Sequence, residues 1–120
     1  MSVIVEKKDG LGVIRIEHLA NMNALSPGVV AGMEEGLHRF ATDAAIRVIL
    51  ITGTGPEFSA GADIRYMSAA SPDECRRYLE HAQHVLQSIE SMRVPVIAIV
   101  IGLSIFSAFK RFWSYWLFAG

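Results

Sequence analysis

The stretch GTGPEFSAGADI, Gly53 to Ile64, follows the apolar run IRVILIT at Ile46 to Thr52. Three glycines, a proline and two alanines separate a strand-like run from a helix-like one. Chains collect small residues in this way where the backbone turns sharply or approaches another group closely. The run before it is β-branched and apolar apart from Arg47, the pattern of a strand covered on both faces. After it, Gly61-Ala62-Asp63 reads as the entry to a short helix reaching Met67.

Outward from this loop the chain alternates strands and helices. Ser2–Lys7 and Leu11–His18 are alternating apolar runs around Asp9-Gly10, the favoured signal of a β-hairpin. Ser26-Pro27 reads as an N-cap with proline at the first helical position. Val30, Met33, Leu37 and Phe40 then form one apolar stripe on a helix to about Thr42. Ser71-Pro72-Asp73-Glu74 has the form of a capping box. It opens a helix to about Met92, with Tyr78, Leu79, Ala82, Val85, Leu86 and Ile89 at helical spacing. Val94–Val100 reads as a second buried strand, with Pro95 near its beginning. The order β-β-α-β-(Gly loop)-α-β contains a βαβ unit, so the fold class is α/β.

Bulk properties narrow the function. Of the 120 residues, 52% are hydrophobic and 19% charged, and the net charge is −1 with acids and bases intermixed. No basic face argues for nucleic acid. A single cysteine, Cys75, excludes an internal disulfide framework and fits a reducing compartment, hence a cytoplasmic location. The start MSVIVEKKDG has neither the basic nor the apolar region of a secretory signal.

Three loop motifs fail on the residues. A phosphate-binding P-loop requires Gly-Lys-Ser/Thr, but Gly61 precedes Ala62-Asp63. A dinucleotide fingerprint beginning at Gly53 requires glycine where Phe58 stands. A nucleophile elbow on Ser59 requires glycine at position 57, which is Glu. What remains is main-chain chemistry. The first N–H groups of a helix point outward unpaired and suit a developing oxyanion, such as a thioester carbonyl becoming an enolate. Ala60, Gly61 and Ala62 would leave room for a flat carbonyl. The residues alone are equally well read as a tight strand-to-helix connection in which Asp63 caps the next turn.

NALS at Asn23–Ser26, VILITGTGPEFSAGADI at Val48–Ile64 and VPVIAIV at Val94–Val100 together resemble the enoyl-CoA hydratase/isomerase (crotonase) superfamily. Their order and separation are similar to that family's N-terminal half, over about Ser2 to Leu103. The resemblance implies a partial spiral of ββα units. It also implies acyl-CoA thioester substrates in fatty acid metabolism, hydration or isomerisation by a lyase or isomerase, and assembly as a homotrimer or hexamer. No separate cofactor is implied, coenzyme A being part of the substrate. Carried over by position, the Ala62 N–H is an oxyanion-hole donor. Ala60, Asp63 and Ile64 line the coenzyme A and acyl pocket, and the Ala24 main chain borders coenzyme A. Arg65-Tyr66-Met67 falls on the acyl-pocket wall, where Met67 reads equally well as core.

Beyond Val100 the resemblance weakens: Gly102 and Leu103 still fit, and after Leu103 it stops. The family continues with Asn-Gly, a glycine run that supplies the second oxyanion N–H, and two acids that move protons. Here the sequence is Ile101-Gly102-Leu103-Ser104, without the asparagine or the glycine run, and no Asp or Glu follows Glu90. Hydration needs a base for water and an acid for the α-carbon, so catalysis by the family route is expected to be impaired or absent. Residues 1–103 therefore read as the N-terminal part of a crotonase-like domain. Residues 104–120 read as a divergent hydrophobic tail, as a frameshift or fusion would produce.

Two other functions compete with a truncated acyl-CoA enzyme: a non-catalytic acyl-CoA-binding or interaction module, and a small membrane-associated protein. For the last, Val94–Phe109 is apolar but shorter than the about 20 residues a spanning helix needs. His81 and His84 lie three apart on a helix but have no third ligand nearby, so no metal is expected.

Overall fold

The computed structural model describes residues 2–56, 58–100 and 116–118. β1 (Ser2–Lys8) and β2 (Leu11–Glu17) pair antiparallel with Lys8 opposite Leu11. The turn between them needs two residues at positive φ, and Asp9 and Gly10 supply 49° and 85°. The hairpin is as expected.

α1 (Pro27–Ala41) starts where Ser26 Oγ accepts the Val29 N–H, with Pro27 fixing the first turn. Its buried face, Val29, Val30, Met33, Gly36, Leu37 and Phe40, includes the whole expected stripe. β3 (Val48–Gly53) starts two residues later than expected. The Ile46 N–H bonds to Asp43 O, and the Arg47 N–H to Gly10 O at 2.8 Å, so these residues carry the turn into the strand. Nor is β3 closed on both faces: Ile49 and Ile51 are buried, whereas Val48 and Leu50 are half-buried. A nearly unbroken apolar run does not reveal on which side helices will pack.

α2 (Ile64–Ala69) is short, and α3 (Pro72–Glu90) opens on a complete capping box between Ser71 and Glu74. On α3 only Tyr78 and Val85 of the expected stripe are buried; Leu79 and Leu86 are exposed. β4 (Val96–Val100) begins just after Pro95, and β5 (Trp116–Phe118) pairs parallel with it. β5 was not anticipated. Residues 101–115, which include most of the segment expected to diverge, lie outside the described residues.

The five strands among the described residues lie in sequence order, with β2, β3, β4 and β5 parallel. Gly12 pairs with Ile49 and Ile49 with Val96, so Ile14, Ile16, Ile49, Ile51, Val96 and Ala98 share one face. There they form a core cluster with the buried residues of α1 and α3. Because β2 and β3 are parallel, the segments that follow them leave the same end of the sheet. Open α/β sheets bind ligands at that end.

Candidate functional site

At this end the segment after β2 meets the glycine loop after β3. The chain leaves β2 through a 3-10 turn at Leu19–Asn21 and reaches Asn23, buried with φ 56°. Asparagine tolerates the left-handed region better than most residues, and its amide is used here. Asn23 Oδ1 accepts the His18 N–H at 2.7 Å, and Nδ2 donates to Thr54 O at 2.9 Å.

The two segments are then joined bond by bond. The Ala60 N–H donates to Met22 O at 2.9 Å, Ser59 Oγ to Asn23 O at 2.7 Å, and the Leu25 N–H to Gly61 O at 2.7 Å. Gly61 has φ 91°, so a side chain there would be strained. Leu25 and Ala62 pair as an isolated parallel bridge. The second rung runs through a side chain. The Asp63 N–H donates to Tyr78 Oη at 3.0 Å, and that hydroxyl donates to Leu25 O. Burial raises the Tyr78 phenol above its ordinary pKa of 10.0, so it stays neutral and able to donate.

These bonds orient the Ala62 amide. No peptide bond is cis, and in a trans peptide the C=O and N–H point in opposite directions. With Gly61 C=O held on the Leu25 N–H, the Ala62 N–H points away from Leu25. Ala62 is exposed, and its N–H has no hydrogen-bond partner among the described residues. It is an oriented donor on an exposed residue.

The reason differs from the one expected. Asp63 is the N-cap of α2: its Oδ1 accepts the Tyr66 N–H at 3.1 Å, and the helix starts at Ile64. Ala62 therefore precedes the helix and is aimed by the Leu25 bridge, not by a place in the first turn. Of the other expected residues, Asp63 is buried, with its carboxylate occupied by the cap. Ala60 is half-buried, and Ile64 is 73% exposed. Ala24 is buried, with its N–H on Asn21 O and its carbonyl on the Ser26 N–H. All five lie on the two joined segments.

Sequence reasoning gave no role to Asn23, Ser59 or Tyr78. The signal for Tyr78 was a phenol within an otherwise apolar helix stripe. Its ring also lies against Tyr66, with centroids 5.2 Å apart. A small hollow is lined by Ile16, Leu25, Met33, Ile51, Phe58, Leu86 and Ile89, whose side chains carry no group that can hydrogen-bond a carbonyl.

His81 meets Glu34 of α1 at 3.0 Å, and no group of three metal-ligating side chains occurs among the described residues. Cys75 is half-buried, with its thiol on Met67 O. Met67 packs against the core, while Arg65 is exposed. Among the described residues, no helix is long and apolar enough to cross a membrane.

Known proteins share this sequence pattern and fold. A family model described as enoyl-CoA hydratase/isomerase matches residues 6–108. A crotonyl-CoA hydratase of Syntrophomonas wolfei is 35% identical over 105 residues, covering 87% of this chain and 40% of the relative. A mitochondrial enoyl-CoA hydratase of Pongo abelii is 33% identical, covering 83% of this chain and 35% of the relative. The chain thus spans well under half the length of these relatives. The crystal structure of an enoyl-CoA hydratase from Thermoplasma volcanium superposes with a TM-score of 0.77 at 28% identity, over 83% of this chain and 40% of that one. One from Bacillus anthracis gives 0.80 at 23% identity, over 85% and 40%, a likeness of fold.

Proposed function

Since the chain belongs to the enoyl-CoA hydratase/isomerase family, we propose that it binds acyl-CoA thioesters and polarises the thioester carbonyl with the Ala62 N–H. The single observation that carries this reading is the Ala62 N–H, unpaired among the described residues, on an exposed residue and turned away from Leu25 by the Leu25–Gly61 bond. A preset donor of this kind stabilises charge that develops on a carbonyl oxygen as an enolate forms. The small residues at Ala60, Gly61 and Ala62 leave the approach open. The Ala24 segment, bonded to the same loop, would border coenzyme A, which enters as part of the substrate.

We further infer that residues 1–120 alone bind enoyl-CoA without hydrating it at family-like rates. Hydration requires an acid and a base at the double bond. Among the described residues, the buried carboxylate beside the donor is Asp63, which caps α2, and no Asp or Glu follows Glu90. An intracellular, reducing location and a family-type trimer or hexamer belong to the same reading.

Calorimetric titration of the chain with crotonyl-CoA, followed by the loss of enoyl thioester absorbance, tests it. Binding that Ala62→Pro weakens about tenfold, without turnover, is the expected result, since one neutral hydrogen bond carries about that much. Equal binding by a folded Ala62→Pro variant would remove the donor from the account. Turnover by residues 1–120 would show that the proton-transfer groups had been misjudged.

A further inference from the structure

We infer that Tyr78 is a positioning residue of this site, its hydroxyl acting as a one-atom spacer that sets the direction of the Ala62 N–H. The inference rests on the reading of Ala62 as a thioester donor and assigns the residue that tunes it. Two peptide planes meet at Ala62. The plane carrying its N–H is held by Leu25, through the bond from the Leu25 N–H to Gly61 O at 2.7 Å. The plane on its other side carries the Asp63 N–H, which is held by Tyr78 Oη at 3.0 Å. In a regular parallel ladder the Asp63 N–H would bond directly to Leu25 O. Here the phenol stands between them, accepting from one and donating to the other.

On one side of Ala62 the two segments are linked through the phenol, and on the other by the direct bond. This difference fixes the tilt of the Ala62 amide relative to the surface. The phenol is itself well fixed: Tyr78 is 6% exposed, on a 19-residue helix anchored by a capping box and packed on the core. It comes from an element 15 residues away along the chain, so the donor's direction depends on how α3 seats. Removing the hydroxyl gives Leu25 O and the Asp63 N–H two options. They can close onto each other, rotating Ala62, or remain buried and unpaired, which loosens it.

The test uses isotope-labelled protein, with Tyr66→Phe as the control for general loss of a phenol. Residual dipolar couplings measured without ligand report the direction of the Ala62 N–H. Tyr78→Phe should rotate or average it while the couplings of β2 and β3 stay unchanged, and Tyr66→Phe should leave it in place. An unchanged Ala62 coupling in folded Tyr78→Phe overturns the proposal, whatever the ligand does. Crotonyl-CoA is then added. In the wild type the Ala62 amide proton should move downfield, and in Tyr78→Phe that movement should shrink, with affinity reduced about tenfold. If the wild-type amide does not respond to crotonyl-CoA, the donor reading fails; the ligand-free couplings still decide what Tyr78 does to the loop.

Should Tyr78→Phe not fold, 3-fluorotyrosine in a Tyr66→Phe background keeps the ring and makes the hydroxyl a stronger donor and weaker acceptor. The Asp63 amide proton should then move upfield. No movement would remove the hydroxyl from the linkage.

Discussion

The Ser59 hydroxyl donates to the main-chain oxygen of Asn23 at 2.7 Å and accepts the Gly61 N–H at 3.0 Å. Both Ser59 and Asn23 are wholly buried, so no water can replace either bond cheaply. Ser59→Ala leaves a buried carbonyl and a buried N–H short of a partner, at a cost of about 1–3 kcal/mol. In urea unfolding the midpoint should fall with an unchanged slope. Crotonyl-CoA binding should weaken as well, because Gly61 is the residue whose carbonyl aims Ala62. A variant as stable as the wild type would mean that the loop is held by its main-chain bonds alone.

Gly12 in β2 faces the Phe40 ring of α1 so closely that a Cβ at position 12 would lie 2.7 Å from it. Gly12→Ala therefore overpacks the seam between helix and sheet and should cost about 1–3 kcal/mol. Pairing it with Phe40→Leu should recover part of that loss, giving a favourable coupling in a double-mutant cycle. Additive single effects would show that the ring moves aside without strain.

The fold was readable in the sequence wherever its cause was local. Asp9-Gly10 states the hairpin turn, and Ser26-Pro27 and Ser71-Pro72 state where α1 and α3 begin, because each cap or turn is made by residues within a few positions. The strand starts were less exact, since Ile46 and Arg47 open a run of extended character yet are bonded to Asp43 and Gly10. At the site, the Ala62 position was legible as one of a row of small residues, but its orientation was not. That orientation depends on Leu25, 37 positions back, and on a phenol that composition alone assigns to the core. Nothing local to GTGPEFSAGADI states that Gly61 C=O finds the Leu25 N–H.

Asp43, in the turn after α1, is held below the ordinary 3.8 of its carboxyl. The main cause is the hydrogen bond from Lys7 at 2.7 Å, followed by the Ala45 N–H at 2.9 Å. A folded-state pKa below the unfolded value means that the stabilisation is full above 3.8 and is lost as pH falls through the depressed value. The difference in stability between wild type and Asp43→Asn should therefore be constant from neutral pH to about 4 and shrink below it. Salt should reduce it throughout, because both side chains are partly exposed. Acid unfolding curves at low and high ionic strength would show this. A gap that widens on acidification would contradict the assignment.

Arg93, just before β4, closes the end of α1 from outside the helix. Its Nη1 donates to Ile46 O at 3.1 Å, and its Nη2 to Phe40 O at 3.4 Å and to Asp43 O. The last carbonyls of a helix have no partner within it, and a cation there also meets the negative end of the helix dipole. One planar guanidinium thus ties the last turn of α1, the turn after it and the approach to β3 to the start of β4. Because Arg93 is itself exposed, Arg93→Ala should cost toward the lower end of about 1–3 kcal/mol. Arg93→Lys should recover less than half of the loss, since an ammonium keeps the charge but cannot span three carbonyls in one plane. Amide hydrogen exchange gives the more specific reading. The Ile46 and Arg47 amides should exchange faster in Arg93→Ala while those of the β1–β2 hairpin are unaffected. If lysine restores full stability and protection, charge at the helix end is what matters and the fork geometry does not.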